Sequence, residues 1–390
     1  MWAALEPIGR DARSGGYRRF AWTDEDAILR EWFAGEAGAR GLDVLEDRAG
    51  NQWAWLGDPD AHGPGVVVGS HLDSVPDGGA YDGPLGVVSS FAALDALRDK
   101  GFRPSRPLAV VNFGDEEGAR FGIACAGSRL ITGALDAERA RGLSDVDGTS
   151  LGEAFARSGR RLEHLGPDRE TLARIGTFVE LHVEQGRGLV DLGRSVAVGT
   201  AIRPHGRWRI DLVGTANHAG TTLMADRDDA MQAFAHLVKS ARIAAVEHDG
   251  VATVGKVQVT PNGVNAIPSH VTAWLDARAA TEDQVQAIVA DVGDKVESLR
   301  GTVTEESWTG ATPFDGTLAT DLAGLLDDVP LLDSGAGHDA GILAAAGIPA
   351  AMLFVRNPTG VSHSPAEFAE RDDCHAGVDA LVRVIERLAG

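Results

Sequence analysis

Seven residues of the kinds that bind divalent metals or move protons follow closely on short apolar runs or glycine-rich turns: His71, Asp73, Asp82, Glu116, Glu117, His182 and His363. Imidazole and carboxylate without thiolate make the donor set of a hydrolytic zinc, manganese or cobalt centre. Two ions sharing a bridging carboxylate are the economical reading. Such a pair lowers the pKa of a water between them and polarises a scissile carbonyl, while a nearby carboxylate that is not a ligand takes the proton. Adjacent Glu116 and Glu117 divide those tasks if one points to metal and the other to water. The spacing His71-x-Asp73 lets Asp73 hold the imidazole tautomer from behind. Taken singly, each of these residues reads as readily as a surface acid or a satisfied core histidine.

The elements that must position them are legible as runs. Val66-Val67-Val68 is wholly apolar, as in a strand buried on both faces of a mostly parallel sheet, and it leads into Gly69-Ser70-His71-Leu72-Asp73. Leu108 to Phe113 runs in the same way into Gly114-Asp115-Glu116-Glu117, and Phe178 to Leu181 into His182-Val183-Glu184-Gln185. In open α/β sheets ligands bind beyond the carboxyl ends of strands, so three such ends predict one shared site. Around them the pattern predicts a helix near 24–37, opened by Thr23 and Asp26 as a capping box, strands at 43–46 and 52–56, and a helix over 85–97.

From about Trp208 the rhythm changes to strand 208–213, helix 227–247, strands 251–259 and 270–278, helix 281–299 and strand 302–307. This βαββαβ order is the ferredoxin-like split motif and predicts an inserted domain of about 100 residues. Afterwards Asp321 to Leu326, a helix at 339–346, an apolar strand at 350–355 and a helix at 373–388 restore the α/β rhythm. The expected architecture is an α/β/α catalytic domain with a mostly parallel central sheet, built from residues 1–206 and 312–390 and interrupted by the inserted domain at 207–311.

Composition narrows the function. The chain has 390 residues, 44% hydrophobic and 24% charged, which fits a folded soluble protein and neither a disordered nor a fibrous one. Its formal net charge of −21 repels phosphate backbones and anionic lipid, so neither a nucleic-acid nor a membrane partner is expected. An anionic small substrate then needs a local cationic anchor. Two distant cysteines, Cys125 and Cys374, give no disulfide framework and no thiolate knuckle, and no signal-like or spanning segment stands out, so a cytoplasmic location is expected.

Several motifs are set aside. Gly148-Thr149-Ser150-Leu151-Gly152 fits GxSxG, but the preceding Ser144-Asp145-Val146-Asp147 is no apolar strand, so it reads as a loop rather than a nucleophile elbow. His205 and His375 read as junction or surface histidines, and Trp53, Trp55 and Trp208 as packing residues on strands.

Seven ordered segments, GSHLDSVPDGGAYDGPLGV (69–87), FGDEEGARFG (113–122), ELHVEQG (180–186), GTANHAGTT (214–222), NGVNAIPS (262–269), DSGAGHDA (333–340) and GVSHSPAE (360–367), resemble the dinuclear-metal amidohydrolases of the M20 peptidase superfamily. Within it they are most similar to the branch of allantoate amidohydrolase, N-carbamoyl-L-amino-acid hydrolase and β-ureidopropionase. The opening GGYRRFAWTDED extends the resemblance over nearly the whole chain. It implies His71 and His363 as terminal ligands, Asp82 as the bridge, Glu117 and His182 completing two divalent-metal sites, zinc, manganese or cobalt, and Glu116 as general base. It also implies that the ferredoxin-like segment is a lid and homodimerisation domain, whose His218 reaches the partner subunit's site to stabilise the carbonyl oxygen. Asn265 and Arg278 then hold the substrate carboxylate, Arg278 being the cationic anchor, and Gln185 faces the ureido or amide group. Arg356-Asn357-Pro358-Thr359 and Cys125-Ala126 depart from the residues expected there, at positions able to reshape the pocket.

The function so implied is metal-dependent hydrolysis of a linear C–N bond in a small anionic ureido compound, allantoate or an N-carbamoyl-L-amino acid. A deacylase removing a formyl, formimino or acyl group is the alternative. A non-catalytic metal-binding scaffold would have no need for the proton carrier Glu116.

Overall fold

The computed structural model describes residues 1–390. The chain divides into two compact units, Met1–Ala201 with Pro313–Gly390, and Ile202–Thr312.

The first unit is built on a nine-stranded sheet. Its middle consists of four parallel strands in the spatial order Leu108–Phe113, Gly65–His71, Ile175–Val183, Ala350–Val355. Antiparallel strands extend it on both sides, Gln52–Leu56 and Asp43–Glu46 at one and Val196–Ile202 at the other. All residues of Gly65–His71, Leu108–Phe113 and Ala350–Val355 are buried, as the unbroken apolar runs predict for strands covered on both faces. Val66 and Val68 join one core cluster with the helices Asp24–Ala39, Pro84–Asp99 and Arg371–Ala389. Val67, equally buried, points to the opposite layer, where helices Ala126–Thr132 and Asp339–Ala345 pack. An α/β/α sandwich results.

The helix predicted at 24–37 runs over Asp24–Ala39, but its start is not a full capping box. Thr23 accepts from the Asp26 amide, while the Asp26 carboxylate reaches back one residue further, to the amide of Trp22, and also pairs with buried Arg30 at 2.9 Å. Strand Ile175–Val183 extends past the apolar run Phe178–Leu181 on both sides, which places His182 inside the strand rather than beyond it. Strand Val196–Ile202 and the four short helices between Ala126 and Ala173 have no counterpart in the sequence reading. In Leu151–Arg157, Ser150 of the GxSxG motif is the N-cap, in a capping box with Glu153. Its hydroxyl therefore serves a helix end, and no nucleophile elbow exists there.

The second unit is a four-stranded antiparallel sheet in the order Thr302–Thr309, His205–Val213, His270–Ala279, Gly250–Thr260. Helices Ala230–Glu247 and Glu282–Ser298 cover one face. This is the ferredoxin-like arrangement. Strand residues alternate, with Ile210, Leu212, Val271, Ala273, Leu275 and Ala277 inward. The first of the two helices starts later than 227 because the Asp229 side chain caps the amide of Met231. No helix of the structure is long and apolar enough to cross a membrane.

Candidate metal centre

The four parallel strands end at the same edge of the sheet, and the ligand candidates of the first unit gather there. His71 closes its strand, His182 lies one residue before the end of the next, Glu116 and Glu117 follow Phe113, and His363 sits in the loop after Val355. Asp82 comes from the turn between His71 and the helix starting at Pro84.

Two ligand groups form around Asp82. In one, His182 Nε2 is 3.1 Å and His71 Nε2 3.6 Å from Asp82 Oδ1. In the other, His363 Nε2 is 3.3 Å from Asp82 Oδ2 and 3.5 Å from Glu117 Oε2. Asp82 thus offers one oxygen to each group, the geometry of a bridging ligand. His182 Nδ1 lies 2.9 Å from the Val183 carbonyl and His71 Nδ1 3.1 Å from that of Asp73, so each Nδ1–H donates to backbone and each Nε2 lone pair faces Asp82. His71 Nε2, His182 Nε2 and Glu117 Oε1 are buried without a hydrogen-bond partner. Buried lone pairs converging from nitrogen and oxygen, with no thiolate, fit divalent metal of the zinc, manganese or cobalt kind.

Asp73 faces the imidazole as expected and has a further task. His71 Nδ1 lies 3.1 Å from the Asp73 backbone carbonyl and 3.5 Å from its carboxylate. That carboxylate also accepts the amides of Glu116 and Glu117, both at 3.1 Å, and so fixes the peptide carrying the two glutamates. Glu116 Oε2 lies 3.8 Å from His71 Nε2, and its Oε1 receives the thiol of buried Cys125 at 3.4 Å. Glu116 belongs to neither ligand group.

The electrostatics follow from packing acids and imidazoles out of water. Burial pushes Glu116 well above the usual carboxylate range, and Glu117 up to about 7 with Asp82 reinforcing the effect. For Asp82 burial acts in the same direction, but the three imidazoles of His182, His363 and His71 around it outweigh it and hold the carboxylate well below its ordinary value. The hydrogen bond to Asp82 lifts His363 to about 9.

Gln185 is in the cluster. Its Nε2 donates to Asp82 Oδ2 at 2.9 Å and Ser362 Oγ at 3.2 Å, and its Oε1 is buried without a partner. The sequence reading missed His338, quoted within DSGAGHDA but given no role. Its ring lies 4.6 Å from that of His182, its Nε2 3.1 Å from Ser334 Oγ, and its Nδ1 is buried and unpartnered. Burial and the neighbouring His182 hold it well below the ordinary imidazole range, hence neutral. Glu180, His182 and His338 form a third group of ligand type. A histidine directly before a helix start in a glycine-rich turn was the available signal.

His218, Asn265 and Arg278 belong to the second unit. A short antiparallel pairing sets His218 beside Ala266, next to Asn265, and both polar residues are exposed. Arg278 lies elsewhere: its strand pairs His270 with Val213 and Thr260, but Arg278 with His205 and Val251 at the far end. Its Nε and Nη2 are committed to Asp276 at 2.7 and 2.9 Å.

The sequence profile of peptidase family M20/M25/M40 matches residues 67–387. This chain belongs to that family. It is 35% identical to an N-carbamoyl-L-amino acid amidohydrolase of Geobacillus stearothermophilus, over 100% of this chain and 98% of the relative. It is 32% identical to the allantoate amidohydrolase of Escherichia coli, over 99% and 96%. A crystal structure of an amidase of the hydantoinase/carbamoylase family from Burkholderia vietnamiensis superposes with a TM-score of 0.90 at 30% identity, covering 100% of this chain and 95% of that one. The chain is accordingly a metal-dependent amidohydrolase.

Proposed function

We propose that this amidohydrolase cleaves a linear C–N bond in a small anionic ureido compound, allantoate or an N-carbamoyl-L-amino acid, at a pair of divalent ions, with Glu116 as general base. The observation that carries the reading is the sharing of Asp82 between two ligand groups while Glu116 stays outside both. His71, Asp82 and His182 would hold one ion, and Asp82, Glu117 and His363 the other. Such ions supply Lewis acidity, acidifying water and polarising the scissile carbonyl.

The chain's own residues do the rest. Glu116, held at its amide by Asp73, accepts the proton of the attacking water and returns it to the departing nitrogen. Gln185 Oε1, an acceptor without a partner, suits an N–H of the ureido group. Asn265 and Arg278 would take the substrate carboxylate, and Asp276 preorients the Arg278 fork.

The inserted domain supports a homodimer. Eight steps of extended chain separate His270 from Arg278, roughly 27 Å at the usual rise per strand residue. His218 lies beside Ala266, before the His270 end of that strand. A substrate of allantoate size does not span that length, so His218 and Arg278 serve one substrate only if they come from two copies of the chain.

Glu116→Gln tests the chemistry. The variant is expected to keep its fold and metal content and to lose nearly all turnover of the ureido compounds. Activity like that of the unaltered protein would sink the mechanism. Metal-stripped protein refilled with manganese, zinc or cobalt, assayed on allantoate, N-carbamoyl, N-formyl, N-formimino and N-acetyl amino acids, separates the ureido reading from deacylation.

A further inference from the structure

Glu367, buried in the loop that carries His363, has no place in either ligand group. Its Oε1 accepts two consecutive amides, those of Tyr81 and Asp82, each at 2.9 Å. Its Oε2 accepts the hydroxyl of Ser362 at 2.9 Å. Ser362 Oγ is also 3.2 Å from Asp82 Oδ2 and receives Gln185 Nε2. One carboxylate therefore ties the turn bearing Asp82 to the distant loop bearing His363. The side chain fits only because residue 79 is glycine, since a Cβ there would overlap the Glu367 carboxyl and Cβ atoms. His363 itself sits at φ 53°, in the left-handed region that few residues other than glycine enter.

We propose that Glu367 is a positioning residue that holds Asp82 Oδ2 and His363 in register, and so sets how firmly the Asp82–Glu117–His363 group retains its ion. The inference rests on the two-ion reading above. The His71–Asp82–His182 group uses the other oxygen of Asp82 and two side chains anchored to the backbone carbonyls of Asp73 and Val183, so it depends less on the clamp. A glutamine at 367 preserves the arrangement: its carbonyl accepts the two amides, and its amide donates to Ser362, which then donates to Asp82.

The test is competition with a chromogenic chelator for zinc, with metal content by mass spectrometry, on the full-length protein and the variants Glu367→Ala, Glu367→Gln and Ser362→Ala. The unaltered protein is expected to bind two ions. Glu367→Ala is expected to weaken one of them roughly 10- to 100-fold, in the range for residues that orient ligands, with the other changed much less. Glu367→Gln should restore most of the loss and Ser362→Ala should weaken the same ion to a smaller degree. Two ions held by folded Glu367→Ala as tightly as by the parent would overturn the proposal, and so would equal weakening of both. Glutamine behaving as alanine would assign the effect to charge and also overturn the clamp. Should Glu367→Ala not fold, unchanged affinity for both ions in Ser362→Ala decides against it. A parent protein that binds a single ion instead removes the two-ion reading on which the clamp depends.

Discussion

Asp73 and Glu116 show what residue type can and cannot announce. That an acid two positions after a histidine serves the site is readable from the spacing, because metal and proton chemistry accept few residue types. That the same acid also holds a peptide is not, because only the folded chain brings the Glu116 and Glu117 amides to the Asp73 carboxylate that already faces His71. Contacts between residues far apart in sequence, such as His338 against His182, are equally silent until the chain is folded. Gly83 gives a prediction at this scale. It has φ +81°, and a Cβ there would meet the His71 ring at atoms that set the imidazole direction. Gly83→Ala should cost about 1–3 kcal/mol from backbone strain and displace His71. Urea unfolding together with metal content checks it, and parental stability with full metal content would refute the clash.

At the scale of elements, continuous apolar runs located the buried parallel strands, and the change of rhythm after about Trp208 located those of the inserted domain. The helices Ala126–Thr132, Ala137–Gly142, Leu151–Arg157 and Arg169–Ala173 were not legible by periodicity, for none is long enough to complete two clear turns of an apolar stripe. Their caps, Asp136, Ser150 and Asp168, were the readable sign. Strand His270–Ala279 shows how one element serves two ends: its inner residues build the core, while Asp276 and Arg278, two apart and so on one face, pair on the other. Burial would raise the Asp276 carboxyl, but the hydrogen bond from Arg278 outweighs it, aided by Arg207 and His205, and its pKa lies below 3.8. The folded value being depressed, the pair stabilises the fold above the unfolded value and that contribution is lost as pH falls through the folded one. Asp276→Asn should therefore lessen the acid sensitivity of unfolding below about pH 4, measured by tryptophan fluorescence in urea. An unchanged acid limb would show that the pair contributes nothing.

For the molecule as a whole, composition spoke to charge and class, and the order of runs to two domains, but nothing in the order of residues told where Arg278 lies relative to His218. Register did. If the homodimer is the active form, mixing inactive His218→Ala with inactive Glu116→Gln under conditions of subunit exchange should regenerate one intact site per heterodimer and hence activity. Exchange without recovery would count against sites shared between copies. Metal linkage gives a second prediction: free metal at a hundred times its dissociation constant adds about 2.7 kcal/mol, so chelation should lower the melting of the unit holding residues 1–201 and 313–390, and leave the transition of residues 202–312 in place. Calorimetry with and without chelator reads both. The first unit is discontinuous, with His71, Asp82, Glu117 and His182 before the insertion and His363 after it. On a ribosome adding roughly 5–20 residues per second, the four early residues wait on the order of ten seconds to a minute for His363 and for the strand Ala350–Val355 that precedes it. If these five residues hold two ions as proposed, the nascent chain offers at most one of the two sites, and hydrolytic capacity begins only when translation has passed the whole inserted segment.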